Sequence, residues 1–382
     1  MAKRDRTFVG LYCGPSVDGV DAAVVAVRGE GDGMAAAQKQ FVQRPLDEDL
    51  RKRVRSAASG WSMPAGDLAR LDREVGSALA AACEALLREA ALPGRYVQAV
   101  GVIGPEAACV RPTMSAGPGS VLELGSAATV ARETGRPVVA GFGASDLAAG
   151  GVGGPVTAWP DWLMFRDDRL SRAVVQLGAI ATMTFVGSAA AACEVIAYDV
   201  GPGTVLIDAL VRQLYEQEFD EDGALAARGK AHEPLLNELT GGEYFQREPP
   251  KRTHVREWSG PAIQRVEMMA GKHRCGAADL ITTLTELTAR TVAGHVLKMT
   301  ERPHEVVLVG GGAKNIHLAG RIRKLLSPCS TYPADHYGLD MRAHGAICAA
   351  VLAAARLGGV RAHCPAATGA ADAATLGAVW VP

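Results

Sequence analysis

Short apolar runs broken by glycine recur along this chain, and their spacing predicts alternating strands and helices. Residues 7–12 and 20–27 (VDAAVVAV) read as two strands joined by the turn CGPSVDG, since apolar runs bounded by Gly and Asp suit a hairpin. Residues 66–92 carry apolar positions at helical spacing, with Asp67 the expected N-cap. YVQAVGVIG (96–104) and RPVVAGF (136–142) read as short strands ended by glycine. AAGGVGGPVTAWPDW (148–162) is Gly-rich and Pro-punctuated and marks a domain boundary. The second half restarts the same grammar. AVVQLGAIATMTFV (173–186) predicts a hairpin, and residues 194–217 a strand, a glycine loop and a helix. Residues 279–299 predict a long amphipathic helix, and 304–326 a buried strand, a Gly-rich turn and a helix. Two related α/β lobes with a cleft between them follow from this repetition.

Composition narrows the class. The 382 residues are 48% hydrophobic and 21% charged, and the net charge of −1 gives no field favouring nucleic acid or an anionic membrane. The basic run LRKRVRS (50–56) reads as a solvated helix face. No signal-peptide core follows the first residues, and GAICAAVLAAA (345–355) is too short to span a bilayer and reads as a buried helix. The eight cysteines are scattered without a C-x-x-C pair, so neither a zinc site nor a disulfide framework is expected. The nine histidines have no metal-ligand spacing, and His344 is expected at a helix start. The reading is a reduced, soluble, cytoplasmic protein.

The candidate chemistry lies in three glycine loops. Phosphates need close backbone approach and several N–H donors, which favours glycine. Gly14–Gly19, DVGPGT (199–204) and VGGGAKN (309–315) each follow a strand. A single such turn merely reverses the chain; three spread over both halves point to a nucleotide. A Walker A loop and a Gly-x-Ser-x-Gly elbow are absent, and GGGAKN ends in Asn315 rather than a third spaced glycine, which disfavours a dinucleotide fold. Asp199, at a strand end before Gly-Pro-Gly, is either a general base flanked by anion-facing amides or an N-cap. Asp18 and Asp21 suit turn-forming roles equally well, and Asp208, one turn into the helix, reads as a solvated or capping-region charge.

GLYCGPSVDGVD, AYDVGPGTVLIDA and VVLVGGGAKNIHLAGRI together resemble the anhydro-N-acetylmuramic acid kinase family, whose patterns read G-x-M-S-G-T-S-x-D-G-x-D, F/Y-D-T-G-P-G-N and V-C-G-G-G-x-x-N. SDLAAGGVGGPV (145–156), GALAARGKAHEPLLNEL (223–239) and the tail 364–382 are similar to further family segments in the same order. EYFQREPPKRT (243–253) is similar to Y-F-x-x-x-P-P-K-S-T. The resemblance implies an α/β fold of two actin-like (ribonuclease H-like) lobes, with mixed β-sheets flanked by helices and an interlobe nucleotide cleft. The lobes are expected at 1–145 and 146–382, with the C-terminal tail able to pack back onto the first. It further implies ATP and Mg²⁺ as cofactors, a small-molecule sugar as substrate, and a homodimer. By resemblance Gly14, Pro15, Ser16, Val17, Asp18, Gly19, Val20 and Asp21 cradle the ATP phosphates, with Asp18 the candidate to hold the metal through water. Gly201 and Gly203 join them, and Gly310, Gly311, Gly312 and Asn315 lie near the adenosine. Asp199 is implied as the base that activates water while the anhydro ring opens and the phosphoryl group moves.

The departures are uneven. Cys13-Gly14-Pro15-Ser16 replaces S-G-T-S, removing a hydroxyl and one backbone N–H. IGPE (103–106) replaces H-G-Q-T, LELGS (122–126) replaces L-Q-I-G-D, and QLGAIAT (176–182) replaces N-I-G-G-I-A-N. AGFGASD (140–146) replaces G-D-F-R-x-x-D, so Asp146 stays while the Arg becomes Gly143. The Glu opening the late helix becomes Gly345. Without Arg at 143 a lactyl carboxylate loses a bidentate contact. Asp146 and Glu106 remain as sugar-side candidates. Two readings stand: an ATP-dependent sugar kinase, with sugar specificity open to change, or a paralogue that binds nucleotide or sugar without turnover. A Rossmann oxidoreductase is a distant third.

Overall fold

A computed structural model describes residues 5–110, 112, 117 and 119–382. The first apolar runs form the expected hairpin: β1 (Arg6–Tyr12) and β2 (Gly19–Arg28) pair antiparallel with Tyr12 opposite Asp21. β3 (Ala35–Pro45) continues antiparallel on β2, and β4 (Val97–Ile103) lies parallel to β1. β5 (Glu106–Val110) and β6 (Ser120–Glu123) make a separate hairpin, and β7 (Val138–Ala140) runs parallel to β4. In the second half β8 (Arg172–Leu177), β9 (Ile180–Val186) and β10 (Ile196–Pro202) form an antiparallel meander. β11 (Glu305–Val309) lies parallel to β8, and β12 (Ser330–Pro333) parallel to β11. The chain ends by laying β13 (Ala378–Trp380) antiparallel on β7.

The sheets therefore run β13-β7-β4-β1-β2-β3 and β10-β9-β8-β11-β12. Without β13, each has the same order: a three-strand meander, then two parallel strands added beside its first strand. Parallel strands need crossovers, and helices supply them: Ala65–Glu89 leads into β4, and Ala277–Leu297 into β11.

Several elements differ from their expectation. The first long helix begins at Ala65 with Pro64 in the cap position; Asp67 sits inside the first turn and accepts from Arg70 at 2.6 Å. An acid there still faces the positive helix end. The end of the Gly-rich segment is helical, Ala158–Phe165, because AWPDWLMF is apolar enough to be buried along its length, and Pro160 falls in the first turn where its missing N–H costs nothing. The helix Ala277–Leu297 is not amphipathic in its middle, since residues 280–289 are all buried. Its threonines tolerate this by donating to carbonyls four residues back, as Thr283 does to Asp279 at 2.6 Å. Buried Glu286 is held by Arg290 and Arg321. LRKRVRS lies on the helix Glu48–Ala58, but Arg51 and Arg55 turn inward and pair with Glu218.

The late helix, His344–Leu357, is buried from His344 to Ala355 and packs on β1, β4 and β2 of the first sheet. Its run of Gly, Ala and Cys lets a backbone lie directly on a sheet. No described helix is long and apolar enough to cross a membrane.

Candidate functional site

The turn between β8 and β9, the end of β10 and the 310–312 turn meet at one edge of the second sheet. The amides of the 199–204 loop are spent inside this meeting: Gly203 N–H donates to the Ala179 carbonyl at 2.9 Å, and Thr204 N–H to that of Gly178 at 2.9 Å. This corrects the expectation of a glycine loop whose amides face an anion. A Cβ on Gly203 would overlap the Gly178 carbonyl, so its glycine serves hairpin packing. Gly201 lies within β10 opposite Ala181, with a Phe245 ring carbon 3.0 Å from where a Cβ would stand. Gly310 and Gly312 press on the Leu177 carbonyl, at 2.7 and 2.8 Å from the positions their Cβ atoms would take. Gly311 is exposed, with open space around it. Asn315 caps the helix Ile316–Leu326 by accepting from Leu318 N–H at 2.8 Å.

Asp199 is not an N-cap. Strand β10 continues past it to Pro202, and Thr204 precedes the helix Val205–Tyr215. Its buried carboxylate accepts from Thr182 Oγ1 at 2.8 Å and from Thr253 N–H at 3.0 Å, and its backbone carbonyl accepts from Tyr244 at 2.7 Å. Burial pushes its pKa up to about 6, against the pull of Arg252 and the two hydrogen bonds. A fixed carboxylate that ionises just below neutrality is suited to take a proton.

The first turn is less open than its sequence suggests. Val17 N–H closes the turn onto the Gly14 carbonyl at 3.0 Å, and Val17 has φ of 51° with its side chain wholly buried. Pro15 has no N–H, so two of the four amides from 14 to 17 are withheld from any ligand. Val20 is likewise buried, and a Cβ on Gly19 would strike the Arg44 carbonyl at 2.6 Å. Ser16 donates to Asp18 at 2.7 Å, leaving Asp18 exposed at the tip. Asp21 accepts from Gln43 at 2.9 Å; burial and Asp18 raise its pKa to about 8. Of the two readings open to it, Asp208 lies in the capping region and is not a solvated charge. It accepts from Thr204 Oγ1 at 2.7 Å and is raised to about 6, by burial first and with Asp18 contributing. Arg55 donates to the Ser16 carbonyl at 3.1 Å and lies near Arg212. Sequence spacing gave no hint of Arg55, Arg212 or Asp208 at this turn, since they come from helices far along the chain.

Tyr12 stands where the family pattern has Met, and Gly345 where it has Glu; the two changes fit each other. The Tyr12 ring fills the space beside Gly345, whose Cβ would lie 2.5 Å from the ring, and its hydroxyl meets Gln176 of the second sheet at 3.4 Å. Gly345→Ala is expected to cost about 1–3 kcal/mol through overpacking. That cost should fall away in Tyr12→Met background; a double-mutant cycle in urea checks the coupling.

Glu106, Glu123 and Arg252 surround the approach to Asp199. Arg252 pairs with Glu106 and donates to Cys109 Sγ at 3.3 Å, and both its charge and that of Glu106 act on Asp199. Half-buried Glu123 accepts from the Gly143 amide; burial, then Glu106, raises it to about 7. Glu106 was legible from its motif, whereas Glu123 and Arg252 were not singled out, although both sit at departures from the family pattern. Asp146 is placed differently. It is 0% exposed, accepting from Gly153 N–H at 2.6 Å and lying 2.6 Å from His363 Nε2. It fastens the 146–153 turn and presents no face to a sugar. His344 does begin its helix, 2.6 Å from buried Asp161.

Two sheets of one strand order, one from each half of the chain, define a duplicated, two-lobed α/β class of fold. The family model for anhydro-N-acetylmuramic acid kinase matches residues 6–382, and the chain belongs to that family. The anhydro-N-acetylmuramic acid kinase of Salinibacter ruber is 34% identical over 99% of this chain and 96% of its own length. That of Gloeobacter violaceus is 34% identical over 97% of each. Among solved structures, a ROK family glucokinase from Streptomyces griseus in complex with glucose and AMPPNP is similar with a TM-score of 0.40 and 15% identity, over 91% of this chain and 98% of that one.

Proposed function

We infer that this protein is an ATP-dependent sugar kinase in which water opens an anhydro ring as a phosphoryl group moves to the freed hydroxyl. The observation that carries the reading is Asp199, desolvated and held by two donors. It accepts the proton of the attacking water while Thr182 and Thr253 fix its oxygens. The alternative of a paralogue without turnover is less well supported, because the family model and the curated relatives that match nearly the whole chain are kinases.

The phosphates of ATP are received between the first turn and the β8–β9 turn, with Arg55 and Arg212 at the mouth and exposed Gly311 on the adenosine side. The charge of Asp18 acts on both Asp21 and Asp208, an arrangement suited to a divalent cation. Mg²⁺ would be held through water by Asp18, and when bound it neutralises phosphate charge. The eight cysteines are all free thiols, in keeping with a cytoplasmic protein, and the family suggests a homodimer.

Two measurements test this. ADP release with ATP, Mg²⁺ and a panel of 1,6-anhydrosugars is expected, and none from any sugar would overturn the reading. The pH profile gives the base. Since the ionised form acts and its pKa is raised to about 6, kcat/KM should be level above pH ~7 and fall about tenfold per unit below pH ~6. A limb near the ordinary carboxylate value would remove Asp199 from the role.

A further inference from the structure

One strained peptide in the first turn is held from both ends. Val17, β-branched and wholly buried, sits at φ of 51°, a conformation that only its surroundings can impose. The peptide joining Ser16 to Val17 gives its N–H to the Gly14 carbonyl at 3.0 Å, and its carbonyl accepts from Arg55 Nε at 3.1 Å. The first clamp is local. The second comes from the helix Glu48–Ala58, with Arg55 lying 39 residues beyond Ser16 in sequence.

The same guanidinium also meets the second half of the chain. Arg55 Nη1 donates to Glu218 Oε2 at 3.0 Å, and Arg51 Nη2 stands 3.3 Å from the other oxygen of that carboxylate. Glu218 follows the helix Val205–Tyr215, on a loop fixed at both ends. Glu216 ends the helix in the left-handed region, and Arg212 donates to the Glu218 carbonyl at 3.1 Å. Buried Asp220 accepts from the amides of Leu225 and Ala226 at 2.7 and 3.0 Å. Ala58, at the end of the helix that carries Arg55, packs in one buried cluster with Ala179, Ile180 and Val255. The two halves therefore meet here through apolar contact as well as charge.

An exposed ion pair alone contributes little. Here two guanidiniums share one carboxylate, and one of them also holds the first turn, so the contacts act as a unit. A lysine could not stand in for Arg55, because its point charge reaches one acceptor where a planar fork reaches two. The other acids nearby have partners of their own: Asp208 accepts from Thr204, Asp18 from Ser16, and Glu48 pairs with Lys52. We propose that Arg55 is a positioning residue for ATP: it holds the first turn in its strained shape, and Glu218 makes that shape depend on the two halves standing against each other. This inference rests on the kinase reading and adds to it a residue that acts through the turn.

The test is calorimetry of a non-hydrolysable ATP analogue with Mg²⁺ on the full chain, beside steady-state kinetics with ATP and 1,6-anhydro-N-acetylmuramic acid. Arg55→Lys and Glu218→Gln are each expected to weaken analogue binding about three- to tenfold and to raise KM for ATP alike, with kcat at saturating ATP within about twofold. The two changes together should cost less than the product of the two singly, since they remove one contact in common. Glu218, whose side chain is 43% exposed, carries the test by itself should Arg55→Lys fail to fold. A lower melting temperature with affinity unchanged marks a structural role and overturns the inference. So does weaker binding in Arg55→Lys with Glu218→Gln harmless, which would make Arg55 a direct phosphate ligand. If the variants weaken the analogue as expected but no ADP is released, the kinase reading falls and the inference stands. Normal turnover with both variants unchanged does the reverse, and no binding of the analogue to the unaltered chain overturns both.

Discussion

Asp199→Asn is expected to lower kcat by about 10²–10⁴-fold while leaving the fold intact, the loss typical of removing a positioned general base. The amide can keep both partners. Its oxygen accepts from Thr253 N–H, and its NH₂ donates to the Thr182 hydroxyl, which rotates to accept. The stability effect has the opposite sign. With the folded pKa raised from 3.8 to about 6, the folded chain binds this proton more tightly than the unfolded chain does. Stability from this group is therefore fullest below pH ~4 and is lost as pH rises through ~6. A neutral amide escapes that loss, so at pH 7.5 the variant should melt at the same temperature or higher. Activity and thermal denaturation of the same preparation check both halves. A variant that keeps most of its turnover, or one inactive only because it has unfolded, contradicts the assignment.

That pairing of lost activity with retained stability separates a working carboxylate from a structural one, and Asp146 supplies the contrast. Both acids were legible in the sequence as members of family motifs, and both are buried. Asp146 spends its oxygens on Gly153 and His363, within the turn and the tail that it fastens. Asp199 is held by one side-chain and one backbone donor at the cleft, within reach of the charges of Arg252 and Glu106. Nothing in the residue type or local spacing distinguishes them; the partners do, and these lie 54 and 217 residues away in sequence.

The strands were readable for the opposite reason. Hairpins such as β1–β2 and β8–β9 are fixed by local alternation and glycine turns, and the pattern holds both. Local reading failed where a side chain's surroundings come from distant segments. Gly203 and Thr204 look like anion donors until Ala179 and Gly178 arrive to take their amides. Asp208 looks as much solvated as capping until Thr204 and the charge of Asp18 are set beside it. Glu123 and Arg252 are unremarkable in their own segments and acquire meaning together, once the β5–β6 hairpin meets the 249–253 strip.

The largest loss of stability is expected from Gly101→Val. Gly10 and Gly101 are register partners on β1 and β4, so their bare backbones form one flat trough. The late helix lies in it: a Cβ on Gly10 would overlap the Ala346 carbonyl, and one on Gly101 the Ala349 carbonyl. These contacts are backbone on backbone, and no rotamer can relieve them. The helix must lift, and it is buried along 344–355, with Gly345 against Tyr12 at the cleft. Overpacking a core ordinarily costs about 1–3 kcal/mol; here, with the whole helix displaced, more than about 3 kcal/mol is expected. Urea unfolding should show a midpoint shift of that size, together with loss of turnover. Gly271→Ala provides the internal contrast. Gly271 is exposed in the helix Pro261–Lys272, and a Cβ there meets nothing within 4 Å. The added methyl group should stabilise by about 0.5–1 kcal/mol through restriction of the unfolded chain and better helix propensity. If Gly101→Val were tolerated as well as Gly271→Ala, the helix would not lie in that trough, and the packing that carries it to the cleft would have to be redrawn.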